Sequence, residues 1–187
     1  KLPVQLVYNS SIEKSGLFGF AWCSPQLEST AYYDKDGVLW VTPWGERIKF
    51  FAKKEKTPKD AIKIELYEQA KKGRGFYAPY SEWEANTSKR DYAKSDSWVF
   101  YGKRDKKGWT FVYRNYKLKS ITAPSGRRVE FNYEGKKLVS VTQDRTAFIE
   151  LSYSGNLVTS LKINDIDYEL KYRSTKLQIL PKTEKGN

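Results

Sequence analysis

From residue 111 onward the chain repeats itself every 20 residues, and this period constrains the fold more than any other feature of the sequence. The segments FVYRNYKLKSITAPSGRRVE, FNYEGKKLVSVTQDRTAFIE and LSYSGNLVTSLKINDIDYEL align without a gap, and a partial copy, KYRSTKLQIL, follows them. Tyr113, Tyr133 and Tyr153 fall 20 apart, as do Ser120, Ser140 and Ser160 and the trio Leu118, Leu138 and Val158; Tyr172 follows Tyr153 by 19. A unit this short with two apolar runs is one β-hairpin rather than a helical repeat. A lone hairpin cannot bury its apolar face, whereas neighbouring hairpins share one, so repetition itself builds a core. The period predicts a mainly β fold, an antiparallel hairpin meander that buries Leu118, Leu138 and Val158. The recurring tyrosines are expected to be structural rings rather than catalytic phenols.

Residues 1–56 read as strands and tight turns of the same kind. LPVQLVY alternates, which predicts a strand over 2–8 with Leu2, Val4, Leu6 and Tyr8 inward. The DG at 36–37 and the PWG at 43–45 mark hairpin turns, with strands expected over 38–42 and 47–51. In SGLFGFAWCSP, Gly19 and Trp22 are expected to form a packed corner and Cys23 to be a small core residue. Residues 57–110 break the rhythm. Thr57 as a cap, Pro58 in a first turn and Gly73 as a stop predict a short helix near 58–72, although Ile62, Ile64 and Leu66 also alternate as a strand would. The aromatic stretch that follows supplies the candidate ligand surface: Tyr77, Tyr80, Trp83, Lys89, Arg90 and Tyr92. Packing of those rings over a sheet is the competing expectation. The chain thus divides into 1–56, an aromatic-rich 57–110, the repeats of 111–180 and a polar tail at 181–187.

The sequence contains no histidine and a single cysteine. Histidine-based acid–base chemistry, zinc and haem sites and an intrachain disulfide are thereby excluded. The carboxylate pairs Asp34/Asp36, Glu82/Glu84 and Asp165/Asp167 read as solvated turns and faces, so no catalytic residue, metal site or cofactor is expected and the chain reads as a non-enzyme. Lysine and arginine outnumber acids 34 to 22, for a net charge of +12. The surplus is spread along the chain, and its densest clusters, KRDKKG at 103–108 and PSGRR at 124–128, read as turns, so a nucleic-acid partner is not expected. No apolar run approaches the roughly 20 residues that cross a bilayer. The absence of methionine, including at position 1, predicts a piece of a larger protein.

The stretch YRNYKLKSITAPSGRRVEFNYEGKKLVSVT resembles the Tyr-Asp, or YD, repeats of bacterial RHS proteins and the related teneurins. The residues on that pattern are Tyr113, Leu118, Ser120, Ile121, Ser125, Gly126, Phe131, Tyr133, Gly135, Leu138, Ser140 and Val141. Near the N-terminus, Leu2-Pro3, Tyr8-Asn9-Ser10, Gly19 to Trp22 and Pro43 to Phe50 are similar to the start of an RHS region. Arg114, Glu134 and Ser154 stand where the family usually has the Asp after the repeat Tyr. The resemblance implies a non-catalytic scaffold or shell segment of a larger exported protein, secreted or at the cell surface, that encloses or presents a C-terminal effector. Its implied partners are the remainder of the β shell and a toxin cargo or surface glycan. A carbohydrate or anionic-polymer binding module is the alternative.

Replacing Leu138 by Ala is expected to lower the unfolding free energy by about 2–5 kcal/mol through lost burial and a cavity. Chemical denaturation checks this, and an unchanged midpoint contradicts a core role.

Overall fold

The computed structural model describes residues 4–8, 15–34, 37–56, 62–69, 77–78, 82–87, 94–173 and 176–182. The fold is mainly β, and every described strand pairing is antiparallel. The chain forms two compact units, residues 29–128 and residues 1–28 with 129–187. This division cuts across the segments read from composition, because residues 1–28 join the hairpins at the far end of the chain.

The hairpin unit is a meander of β14 (Arg128–Glu134), β15 (Lys137–Gln143), β16 (Thr146–Ser154), β17 (Leu157–Ile163), β18 (Ile166–Arg173) and β19 (Lys176–Pro181). Strict alternation would put Leu138 and Val141, three residues apart, on opposite faces. Both are buried, because a register shift lets Asn132 pair with Ser140 while Tyr133 pairs with Leu138, leaving Val139 as a one-residue bulge. The same shift pairs Ser152 with Ser160 and Tyr153 with Val158, burying Val158 and Leu161 together. The repeated Leu-x-Ser-Val spacing therefore encodes a bulge. The Ser falls on the polar face, where the Asn132 amide donates to Ser140 Oγ and Thr142 Oγ1 at 3.1 and 3.3 Å.

The repeat tyrosines join one hairpin to the next. Pairing between β15 and β16 runs only as far as Ser140, so Leu138 has no partner on β16. The Tyr153 phenol closes that gap, donating to the Leu138 carbonyl at 2.7 Å. Between β17 and β18 the ladder stops at Ser160, and the Tyr172 phenol donates to the Val158 carbonyl at 2.6 Å.

Residues 15–28 clasp this tyrosine row through β2 (Ser15–Gly16), β3 (Gly19–Phe20), β4 (Trp22–Cys23) and α1 (Pro25–Glu28). The Val158 N–H donates to the Leu17 carbonyl at 3.1 Å. Gly19, at φ +90°, lies flat on the Tyr172 ring, and a Cβ there would stand 3.1 Å from it. Phe18, Ala21 and Leu27 are buried. The expected corner at Gly19 is present, while Trp22 is only half-buried and packs on Tyr8 at 5.3 Å. Two expectations change here. The strand over 2–8 reduces, among the described residues, to β1 (Val7–Tyr8), whose two-residue partner β4 leaves both its side chains exposed. Cys23 is half-buried rather than core, because its short strand lies at the margin of the clasp.

The second unit is built from β5 (Thr30–Asp34), β6 (Gly37–Val41), β7 (Arg47–Lys56), β8 (Ile62–Gln69), β9 (Tyr77–Ala78), β10 (Trp83–Thr87), β11 (Trp98–Gly102), β12 (Thr110–Arg114) and β13 (Lys117–Thr122). The helix expected near 58–72 is not what forms. Residues 62–69 are strand β8, paired along β7 from Lys56↔Ile62 to Phe50↔Glu68. A long cross-strand ladder overrides local helix signals, and Pro58 and Gly73 lie outside the described residues. The strand order β12-β11-β10-β8-β7-β6-β5-β13 returns to β12, closing a ring of eight strands with β9 beside β8. Closure removes the sheet edges, and side chains just fill the inside of such a ring. The filling is aromatic. Trp40 stacks on Phe100 at 4.3 Å and meets Trp83 edge-on at 5.2 Å, with Phe50 and Phe111 beside it.

The Leu118, Leu138 and Val158 side chains are all buried, as the period predicts. Tyr153→Phe and Tyr172→Phe are each expected to cost about 1 kcal/mol of unfolding free energy, since the half-buried ring is kept while a carbonyl loses its donor. Denaturant titration checks this, with Tyr32→Phe, on the exposed side of β5, as the neutral comparison.

Candidate functional site

The ring has one weak seam, and its polar interior is organised around it. Among the described residues, β13 pairs with β5 at Lys117↔Thr30 alone. The Thr30 hydroxyl adds a bond to the Tyr116 carbonyl at 2.5 Å. Deeper in, Trp40 Nε1 lies 2.7 Å from the Tyr113 oxygen, which lies 2.6 Å from Ser29 Oγ, which lies 2.6 Å from the Val41 carbonyl. An indole N–H only donates and a carbonyl only accepts, so the chain runs Trp40 to Tyr113 to Ser29 to Val41. Tyr113 thus spends both its hydrogen-bonding capacities on closure, which leaves it a structural group. Trp98 Nε1 and Ser120 Oγ are buried without a partner among the described residues.

Antiparallel alternation sends the β6–β7 turn, the β11–β12 connection and the turn after β13 to the same end of the ring. Short contacts tie these segments together. The Lys103 N–H donates to the Glu82 carbonyl at 2.6 Å, just ahead of β10. Gly108, at φ +91°, packs on Pro124, 3.0 Å from where its Cβ would be. The turns at 42–46 and 123–127 share one geometry: Gly45 N–H donates to the Thr42 carbonyl and Gly126 N–H to the Ala123 carbonyl, at 3.0 and 2.9 Å. Both glycines have positive φ, as the Pro-x-Gly hairpin pattern requires.

At this end aromatic and charged groups meet solvent together. Trp44 is 43% exposed, with its ring 5.6 Å from Trp83 and 5.7 Å from Phe111. Its Nε1 donates to Glu46 Oε2 at 2.8 Å, which fixes the indole. Trp109 stacks on Phe111 at 6.2 Å and is half-buried. Arg47, Lys106, Lys107 and Arg127 are exposed at the same end of the ring.

In the hairpin unit one titratable group is held by the backbone. Ser24 precedes α1, its carbonyl accepting the Leu27 and Glu28 N–H groups at 3.1 and 2.8 Å with Pro25 in the first turn, and the Glu28 carboxylate accepts the Leu17 and Ser24 N–H groups at 2.8 and 2.7 Å. Burial raises the Glu28 pKa against the pull of these two bonds. Burial first and the Glu28 charge second push both Tyr153 and Tyr172 up to about 12, and burial with the same charge raises the Cys23 thiol. Tyr133 is raised further by burial and by Tyr153. The phenols therefore stay protonated at neutral pH, as their donor role requires.

Of the ligand surface expected from the aromatic stretch, Trp83 is buried in the ring because its strand turns it inward. Tyr77 lies on β9 opposite Gln69, and Tyr80, Lys89, Arg90 and Tyr92 lie outside the described residues. Of the carboxylate pairs, Asp165 and Asp167 are both exposed, with Asp167 opposite Lys162. Among the described residues, no three His, Cys, Asp or Glu side chains converge on a metal-sized site. Among the described residues, no helix is long and apolar enough to cross a membrane. Sequence reasoning missed Glu28, for which Ser24-Pro25 ahead of a Glu was the available signal, and missed Trp44, for which a Trp between Pro and Gly was. No protein-family model matches the chain, and no curated protein matches it.

The Glu28 pKa is raised above its unfolded value of 4.5, so the folded state binds the proton more tightly. Its contribution is fully present below that value and falls as pH rises through the raised folded pKa. The stability of the wild-type chain relative to Glu28→Gln is therefore expected to be greater at pH 4 than at pH 7. Paired denaturation curves check the sign, and the reverse order contradicts it.

Proposed function

We propose that this chain is a non-catalytic scaffold or shell segment of a larger exported protein of the RHS/YD kind, whose wall encloses or presents a C-terminal effector. The observation that carries this reading is the phenol bond repeated from hairpin to hairpin, Tyr153 to the Leu138 carbonyl and Tyr172 to the Val158 carbonyl. Each hairpin offers the next an acceptor, so a sheet of this design grows by adding like units, each stabilised by its neighbour. Leu177 on β19 occupies the next position in the series, and Ile179 beside it is exposed. The best-defined interior hydroxyl and phenol groups, at Ser29 and Tyr113, serve closure and packing rather than a reaction. In this role the remainder of the β wall is the chief partner.

A chain lengthened by one further hairpin, with its tyrosine 15 residues beyond Leu177 to match the Leu138–Tyr153 separation, tests the design. The expected result is a higher denaturation midpoint and slower backbone exchange at 176–181, both reduced when that tyrosine is Phe. An added hairpin that changes neither stability nor exchange overturns the reading.

A further inference from the structure

We infer that the loop end of the eight-stranded ring is a binding surface for an anionic polysaccharide, a polymer of sugars bearing carboxylate or sulfate groups. This goes beyond the scaffold reading and does not depend on it. The positive surplus is thinly spread along the sequence, but the topology brings Arg47, Lys106, Lys107 and Arg127 to one end of the ring, where all four are exposed. The contact of Gly108 with Pro124 sets the two basic loops side by side. Cations on two adjoining loops form a patch that draws a polyanion in and holds it at several points.

The aromatic rim narrows the chemistry. Trp44 is exposed yet immobilised, packed on Trp83 and Phe111 and hydrogen-bonded to Glu46. A fixed, exposed indole is a platform for the C–H face of a sugar ring, and its rigidity lowers the entropy lost on binding. Glu46 and Asp105 are exposed within the same basic patch. A carboxylate accepts hydrogen bonds from the free hydroxyls along a sugar polymer. Basic groups, a stacking ring and acceptors together match a polymer with both anionic groups and free hydroxyls.

Titration of the full chain with heparin, followed by tryptophan fluorescence at about 150 mM salt, tests the inference. Neutral dextran and single-stranded oligothymidylate are the comparison polymers. Heparin is expected to bind more tightly than either and to shift the tryptophan emission. Lys106→Glu with Lys107→Glu is expected to weaken binding about tenfold or more. Trp44→Ala is expected to weaken it several-fold, with Trp44→Phe retaining more affinity because a ring remains. Lys136→Glu with Arg173→Glu makes the same change in net charge on exposed residues of the hairpin unit and is expected to leave binding nearly unchanged. Each variant's denaturation midpoint verifies its folding. Absence of heparin binding, equal loss from the control pair, or an unaffected Trp44→Ala overturns the proposal. Oligothymidylate binding as tight as heparin overturns it in favour of a nucleic acid.

Discussion

A phenol donating to a main-chain carbonyl at the mouth of a bulge is the interaction on which the hairpin unit depends. Each bulge turns the strand so that two apolar residues three apart share the buried face, and it also ends the ladder to the next hairpin. A buried carbonyl left without a donor would cost about 1–3 kcal/mol, and the tyrosine of the following hairpin removes that cost while setting the register between units. Burial keeps Tyr153 and Tyr172 protonated far above neutral pH, so the donor is permanent. The clasp of residues 15–28 completes the arrangement by donating no side chain to the row at its closest point: Gly19 lies against Tyr172 where any Cβ would crowd the ring.

The ring uses the same sequence motif for a different purpose. Tyr113 pairs with Leu118 beside a bulge, as Tyr133 does with Leu138 and Tyr153 with Val158. Its phenol accepts from Trp40 and donates to Ser29, which reinforces the side of the ring where the ladder is a single pair. Eight strands leave room for side chains alone, and stacked aromatic rings fill that space with few rotatable bonds to immobilise. Rigid filling also explains Trp44: the interior stack continues outward to the rim and holds an exposed indole in place.

Loops on such a frame converge at its ends. Strand alternation decides which turns share an end, and here it sets two basic connections beside an aromatic turn. The hairpin unit, by contrast, interleaves opposite charges on its polar face, as in the pairs Lys162–Glu150 and Lys171–Glu169. Exposed pairs of this kind contribute little stability. They suppress a single-sign field on that face.

The period of 20, the burial of Leu118, Leu138 and Val158, and the turns at Pro43 to Gly45 and Pro124 to Gly126 were legible in the amino-acid sequence, because hairpins are local and their turns demand particular residues. The meaning of Leu-x-Ser-Val as a bulge was hidden, since a three-residue apolar spacing has no strand period of its own. Residues 62–69 carried both helix and strand signals, and only the ladder with β7 decided between them. Ring closure, the inward turn of Trp83 and the gathering of Trp44 with Lys106 and Arg127 were decided by tertiary structure alone. Each depends on pairings between residues far apart in the chain, such as Ser29 with Tyr113, 84 positions away, and periodicity within a segment holds no record of its distant neighbour.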